Sequence, residues 1–102
     1  MRTIMSVLDF IRAKRTELYE IADRNKADKI YLFGSCARGE EADGSDVDFL
    51  VRFREGASLL DQAGLINDLQ GYLGRQVDVV STKSLARSPR FASQVMPDLI
   101  AL

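Results

Sequence analysis

Apolar residues recur with a helical period in two long stretches of the chain. Across residues 6–25 they return every three or four positions, which predicts an amphipathic helix with Ser6 as its cap. A second stretch opens with Ser58 and Asp61 and closes at Gly74, so a second helix is predicted between these signals. We expect its apolar face to consist of Leu59, Leu60, Ala63, Ile66, Leu69 and Leu73.

Three shorter runs are rich in β-branched and aromatic side chains, which predicts strands at 29–33, 47–53 and 76–81. Residues 34–44 are rich in glycine and charge and predict a turn, with a short helix opening inside it. Residues 82–102 contain both prolines of the chain and predict short helical pieces. This order indicates an α/β (α+β) fold, in which helices pack on one mixed β-sheet of three or four strands.

Composition and charge narrow the class of protein. With 102 residues, 46% of them apolar and 28% charged, the chain is expected to form one domain over residues 1–102. A net charge of −1 argues against broad binding to DNA or RNA, so we expect no direct nucleic-acid contact. No apolar run has the length of a signal or a membrane span, and the single cysteine suits a reducing compartment. A cytoplasmic protein without membrane contact is therefore expected.

The most specific motif joins a glycine turn to two carboxylates. Gly34-Ser35-Cys36-Ala37-Arg38-Gly39 follows the first predicted strand, and Ser45-Asp46-Val47-Asp48 opens the second. Alternate residues of a strand share a face, so Asp46 and Asp48 should project together and repel each other unless a cation is present. Mg²⁺ is such a cation, because it prefers one or two carboxylates with phosphate oxygens, for which the turn offers a site.

A third carboxylate, Asp78, stands in an apolar strand. There it is costly if buried alone, but tolerated if it faces a cleft or shares a cation. The chain has no histidine, so any acid–base or metal chemistry must use carboxylates. If the strand of Asp78 lies beside that of Asp46 and Asp48, the three would supply a two-metal site for phosphoryl or nucleotidyl transfer. Asp78 could also accept the proton of an attacking hydroxyl as a general base.

Taken together, these residues resemble the minimal nucleotidyltransferases of the DNA polymerase β superfamily. The matching residues are Gly34-Ser35-x-Ala37-Arg38-Gly39, Ser45-Asp46-x-Asp48 and Asp78, so the resemblance runs over residues 30–80. Small members of this family are usually antitoxins paired with a HEPN-domain ribonuclease toxin. The resemblance implies an enzyme that moves AMP from ATP to a hydroxyl of that toxin, expected to be a tyrosine, as the antitoxin of a type VII toxin–antitoxin pair.

The resemblance also implies roles for individual residues. Gly34 and Ser35 would hold the β- and γ-phosphates of ATP, and Arg38 would support the phosphates or the acceptor. The expected nucleotide-binding residues are thus Gly34, Ser35, Arg38 and Ser45. The expected catalytic residues, which are also the expected ligands of Mg²⁺, are Asp46, Asp48 and Asp78. Two Mg²⁺ ions are expected, with ATP as the substrate.

Other interpretations stay open. The chain could neutralise a toxin by binding alone, or modify a small molecule in an acceptor site that forms across a homodimer. Related enzymes that modify small molecules carry an added helical domain, for which 102 residues leave no room, and this favours a protein acceptor. An EF-hand is excluded because the sixth position counted from Asp46 is Val51 rather than glycine. Cys36 is interpreted as incidental, because no nearby base is expected to activate its thiol.

Overall fold

The computed structural model describes residues 5–102, and its N-terminal part differs from the predicted single helix. Helix α1 spans Val7–Ala13 and helix α2 spans Arg15–Arg24, with a break at Lys14. Ser6 caps α1 as predicted, since its side-chain oxygen accepts the backbone N–H of Asp9. The apolar period runs on across the break because both helices bury their apolar residues in one core, so the pattern gives no sign of the interruption.

The sheet has four strands, in agreement with the prediction of three or four. Their bounds are β1 Ala27–Phe33, β2 Val47–Phe53, β3 Val77–Ser81 and β4 Ile100–Ala101. The order is β3-β2-β1-β4, and it is mixed because β2 and β3 run parallel while the other neighbours run antiparallel. Strand β4 lies in the segment predicted as helical, and a strand of two residues is too short to show a period of its own.

Four further helices and one 3₁₀ turn complete the described chain. They are α3 Gly34–Arg38, α4 Leu59–Leu73, α5 Thr82–Ala86, α6 Pro89–Val95 and the 3₁₀ turn Met96–Asp98. Helix α4 has the predicted ends: Ser58 and Asp61 form a capping box, and Gly74 ends the helix with a left-handed backbone. Within residues 5–102, no helix combines the length and the apolar character that crossing a bilayer requires.

Two faces of the sheet differ in what covers them, because alternate strand residues point to opposite sides. Val47, Phe49 and Val51 of β2 are fully buried on the face packed against α1, α2 and α4, which we call the core face. Leu50 points to the opposite side, the tail face, where α5 and α6 supply a second, smaller apolar cluster. The buried members of that cluster are Phe33, Leu50, Leu85 and Val95.

The predicted apolar face of α4 is wrong over its first turn and at Ala63, where these side chains are exposed. Leu59 and Leu60 are 83% and 84% exposed, whereas Leu65 and Leu69 are fully buried. The side-chain amide of Gln62 donates to the carbonyl oxygen of Val79 at 3.1 Å, and the helix buries apolar side chains only beyond this point. The turn that carries the two leucines precedes this contact with the sheet, so helical spacing alone could not tell it from the buried part.

Candidate active site

Asp48 and Asp78 are neighbours across the parallel pair of strands. The register of β2 and β3 pairs Asp48 with Asp78, and the alternation of each strand directs both side chains to the tail face. Asp48 is half-buried and Asp78 is exposed on the edge strand. The predicted juxtaposition of these two carboxylates is therefore present, since the strands that carry them lie side by side.

Asp46 precedes β2 and is exposed, so it approaches the pair from a loop rather than from a strand. Burial, and then the charges of Asp78 and Asp46, raise the pKa of the Asp48 carboxyl above its ordinary value, while Arg38 opposes that shift. These causes show that negative charge accumulates around Asp48, and that Arg38 is the cation that offsets it.

Gly34 lies against the Asp48 carboxylate because β1 ends where β2 begins. The antiparallel register pairs Phe33 with Asp48, so the next residue of the chain turns directly beside that side chain. Gly34 has φ +77°, which other residues rarely adopt, and a Cβ atom built on it would overlap Asp48 Oδ2. A glycine is thus required here for two independent reasons, backbone conformation and space beside the carboxylate.

Helix α3 connects this turn to the Asp46 loop through Cys36, a residue that the sequence alone marks as incidental. Cys36 is fully buried, and its thiol donates to the carbonyl oxygen of Asp46 across 3.6 Å. Burial raises the pKa of the Cys36 thiol and so favours the protonated form that can donate. Ser35, beside it, is half-buried at the start of α3. The spacing of the motif gave no signal for the contact of Cys36, which depends on the fold.

Ser45 shapes the loop that presents Asp46. Its side-chain oxygen accepts the backbone N–H of Ala42 at 2.9 Å, and its own N–H donates to the carbonyl oxygen of Ala42 at 3.0 Å. Arg75 Nη1 donates to the carbonyl oxygen of Ser45 at 3.5 Å. These contacts give Ser45 a structural role, and its expected contact with the nucleotide stays a prediction.

Arg38, predicted to support the phosphates, is held by two carboxylates. Its Nε donates to Glu40 Oε2 at 2.9 Å and its Nη1 donates to Asp98 Oδ2 at 2.7 Å. Glu40 is two residues away, but Asp98 lies in the 3₁₀ turn near the other end of the chain. No motif marks Asp98 in the sequence, because a contact between residues sixty positions apart leaves no trace in local spacing.

The donor set fits Mg²⁺ better than a cation that needs a preformed cage. No three His, Cys, Asp or Glu side chains of residues 5–102 are gathered closely enough to enclose a metal ion. Mg²⁺ does not require such a cage, since it combines one or two carboxylates with water and substrate phosphates. Asp48 and Asp78 supply adjacent carboxylates, and Gly34 leaves space at the first of them.

A cavity of about 500 Å³ lies at the other end of β2 and β3, away from the carboxylates. Phe53 and Ser81 border it, and its charged lining residues are Arg54, Lys83 and Arg87 without any carboxylate. The acidic groups are instead accessible, since Asp78 is exposed on the edge strand and Asp46 is exposed in the loop before β2. The two features are therefore separate.

Comparison with known proteins agrees with the resemblance to nucleotidyltransferases. The sequence matches the nucleotidyltransferase domain family over residues 15–102. It is similar to protein adenylyltransferase MntA of Thermococcus cleftensis, with 40% identity over 85 residues and 83% of each chain covered. A solved structure provisionally assigned as a minimal nucleotidyltransferase is 43% identical, with a TM-score of 0.79 and coverage of 93% of this chain and 95% of that one.

A more distant solved structure, a toxin–antitoxin with AMP-PNP, is 25% identical with a TM-score of 0.62. The alignment covers 78% of this chain and 68% of that one. The family match includes β1 to β4 and hence the turn and the carboxylates described above, and the predicted fold class is confirmed. The chain belongs to the minimal nucleotidyltransferases, within the nucleotidyltransferase domain family.

Proposed function

We propose that this chain is a protein adenylyltransferase that moves AMP from Mg-ATP to the hydroxyl of a tyrosine on a HEPN ribonuclease toxin. The transfer would block the ribonuclease, so the chain would act as the antitoxin of a type VII toxin–antitoxin pair. The single observation that carries the proposal is the pairing of Asp48 with Asp78 on one sheet face, with Gly34 leaving space at the first carboxylate.

The proposed roles follow from where each residue lies. Asp46 and Asp48 would hold Mg²⁺, with Asp78 as a further ligand, and the metal supplies charge neutralisation at the phosphates when bound. Gly34 and Ser35 open α3 beside Asp48, and they would receive the β- and γ-phosphates of ATP.

The reaction would proceed by attack of the acceptor hydroxyl oxygen on the α-phosphorus of ATP. The bond between the α-phosphorus and the oxygen bridging to the β-phosphorus breaks, and pyrophosphate leaves. Asp78 would accept the proton of the hydroxyl, because it is exposed beside Asp48 and can meet an incoming acceptor. The product is an AMP–tyrosine phosphodiester.

Two observations support a protein as the acceptor. The carboxylates stand on an accessible strand surface, which a large acceptor can approach with its own surface. Among similar proteins, MntA is a protein adenylyltransferase, and the solved structure with AMP-PNP is a toxin–antitoxin. AMP-PNP is an analogue of ATP, which supports ATP as the nucleotide.

The test is mass transfer to the proposed partner, a HEPN ribonuclease toxin. The ribonuclease is incubated with the protein, ATP and Mg²⁺, and its intact mass and its RNA cleavage are measured. We expect a gain of one or more AMP units together with loss of cleavage. Asp78→Ala should lower the transfer rate by about 10²–10⁴ while Mg-ATP still binds, as expected when a general base is removed.

A matched pair of variants identifies the site in this experiment. Asp46→Asn combined with Asp48→Asn should remove transfer, whereas Asp43→Asn takes a charge from the same exposed loop and should leave transfer intact. Inhibition of the ribonuclease without any mass gain, equal in all variants, would instead identify an antitoxin that acts by binding. AMP found on a small molecule would overturn the choice of a protein acceptor.

A further inference from the structure

Arg38 is a long side chain whose position is set by its partners rather than by its own helix. Helix α3 has only five residues, and Arg38 is the last of them. Its side chain is 42% exposed, so packing alone does not fix the guanidinium. A free arginine side chain loses rotamer entropy when it is ordered, and any ligand that binds it must offset this loss. Whatever holds Arg38 in advance therefore favours that ligand.

Of its two partners, Asp98 is the better anchor. Glu40 lies in the exposed loop after α3, and its side chain is 65% exposed. The Asp98 side chain is only 23% exposed and belongs to the 3₁₀ turn. That turn is flanked by Val95 and Leu99, both part of the apolar cluster on the tail face.

The C-terminal segment that carries Asp98 also packs against the strand that leads into the glycine turn. Phe91 of α6 meets Phe33 of β1 edge to face, with ring centroids 6.3 Å apart. Phe33 directly precedes Gly34, and it pairs with Asp48 in the sheet register. The C-terminal segment therefore packs on the same short stretch of β1 and β2 that forms the candidate active site.

We infer that Asp98 is a positioning residue for the nucleotide, which holds the Arg38 guanidinium at the edge of the carboxylate site, ready to meet phosphate oxygens. This inference rests on the proposed function, since it takes Mg-ATP as the ligand. A guanidinium has five N–H donors, and the contacts with Glu40 and Asp98 use two of them. Three donors remain for phosphate oxygens, so the ion pair does not prevent binding.

The location of Arg38 supports this use of the remaining donors. Helix α3 has only five residues, so Arg38 at its end lies about 6 Å along the helix axis from Gly34, which is in contact with the Asp48 carboxylate. The C-terminal segment, for which no motif gave a function, then has one: it completes the phosphate side of the site from the far end of the chain.

The test measures the dissociation constant of Mg-ATP by titration calorimetry on the full chain. Asp98→Ala should raise the constant about tenfold, which corresponds to about 1.4 kcal/mol. Asp98→Asn keeps an acceptor oxygen of the same shape, so it should weaken binding less. The matched control is Asp28→Asn, which removes a strand-to-strand ion pair with Arg52 of similar length, 2.9 Å, and should change the constant by less than twofold.

A double-mutant cycle separates positioning from a general loss of structure. In an Arg38→Ala background, Asp98→Ala should cause no further loss of Mg-ATP affinity, because its effect passes through Arg38. Thermal melts of each variant without nucleotide show whether it is folded at the titration temperature. In AMP transfer, the KM for ATP should rise while kcat stays within about twofold of the wild type.

Three results would overturn the inference. Unchanged affinity in Asp98→Ala would show that Arg38 needs no anchor. Tighter binding would show that Asp98 competes with phosphate for the guanidinium. Loss of affinity that persists in the Arg38→Ala background would show that Asp98 acts by another route. Failure of the nucleotide assignment is distinguishable, because the wild type would then bind no Mg-ATP at all, and the inference would fall with it, whereas a wrong acceptor would leave these affinities unchanged.

Discussion

Two adjacent residues of β2, Asp48 and Phe49, lie on opposite faces of the sheet and differ in how deeply they are buried. Phe49 is fully buried on the core face, whereas Asp48, one position earlier, is half-buried on the tail face against another carboxylate. The core face joins three helices to the sheet through one large apolar cluster, while the tail face has a smaller cluster built from short C-terminal helices. The core-face residues of β2 therefore stabilise the fold, whereas Asp48 on the tail face is placed for the proposed reaction. The carboxylates are exposed because the short C-terminal helices cover only part of the tail face.

The tail face also carries an electrostatic cost that the core face avoids. Burial and the neighbouring carboxylates raise the pKa of Asp48, so the ionised form is disfavoured in the protein without metal. Perturbed pKa values of this kind cluster at functional sites. Variants on the two faces should therefore differ in whether they lose stability or lose transfer.

Asp48→Asn should abolish AMP transfer while leaving the protein folded. Without metal, its free energy of unfolding should equal or exceed that of the wild type, because the substitution removes repulsion among the carboxylates. Both properties are measured on the same preparation, by intact-mass transfer and by urea unfolding in chelator. A variant that keeps near-normal transfer would remove Asp48 from the proposed ligand set.

The same variant gives a signed pH dependence. A raised pKa in the folded state means that the stability contribution of Asp48 is fully present below its ordinary value of 3.8 and is lost as pH rises through the folded-state pKa. The advantage of Asp48→Asn in chelator should therefore be largest above the folded-state pKa and shrink as the pH falls toward 3.8. An advantage that grows on acidification would contradict the stated cause.

Phe49→Ala should have the opposite profile to Asp48→Asn. Truncation of a fully buried phenylalanine typically costs about 3–5 kcal/mol, which is a large fraction of the stability of a small domain. Urea unfolding measures the loss directly, and transfer should fall only as far as the folded fraction falls. Loss of transfer in a fraction that is still folded would show that the two faces are not separate.

Gly34→Ala and Gly39→Ala form a matched pair at the candidate site. Both glycines have a left-handed backbone, φ +77° and +71°, so each substitution should cost about 1–2 kcal/mol through strain. Only at Gly34 would the new Cβ overlap Asp48, since the space around Gly39 is open. Mg-ATP affinity, measured by calorimetry, should thus fall in Gly34→Ala and persist in Gly39→Ala. Equal loss of affinity in both variants would show that strain, rather than the carboxylate, is responsible.

Leu59→Ser combined with Leu60→Ser should have the smallest effect. Both side chains are more than four-fifths exposed, so the change in unfolding free energy should stay within about 0.5 kcal/mol. Leu65→Ala, at a fully buried position of the same helix, should cost about 2–5 kcal/mol. Comparable losses of unfolding free energy in the two variants would show that Leu59 and Leu60 belong to the apolar face, as the helical period predicts.

Local signals in the sequence predict a large part of this fold. The bounds of β2 and the ends of α4 agree with the prediction because a run of β-branched and aromatic residues, a capping box and a terminal glycine are properties of neighbouring residues. The break at Lys14 leaves the apolar period unchanged, and the exposure of Leu59 depends on which part of α4 meets the sheet, so local signals predict neither.

The contacts of the candidate site also differ in whether local sequence signals predict them. Alternation along the strands predicts the shared face of Asp48 and Asp78 once the strands are neighbours, and the register confirms that juxtaposition. The ion pair of Arg38 with Asp98 and the hydrogen bond from Cys36 to Asp46 join distant or unexpected groups, so only the folded chain reveals them. The assigned roles in catalysis and metal binding stay predictions until they are measured.

If the carboxylates of the tail face bind ATP together with Mg²⁺, the nucleotide should stabilise the fold only when the metal is present, and unfolding measured with and without Mg²⁺ shows whether it does. At Mg-ATP concentrations about a hundredfold above Kd, the unfolding free energy of the wild type should rise by roughly 2.7 kcal/mol. The rise should disappear when chelator replaces Mg²⁺, and in the variant that combines Asp46→Asn with Asp48→Asn. Stability unmoved by saturating Mg-ATP, or raised equally without the metal, would contradict the account.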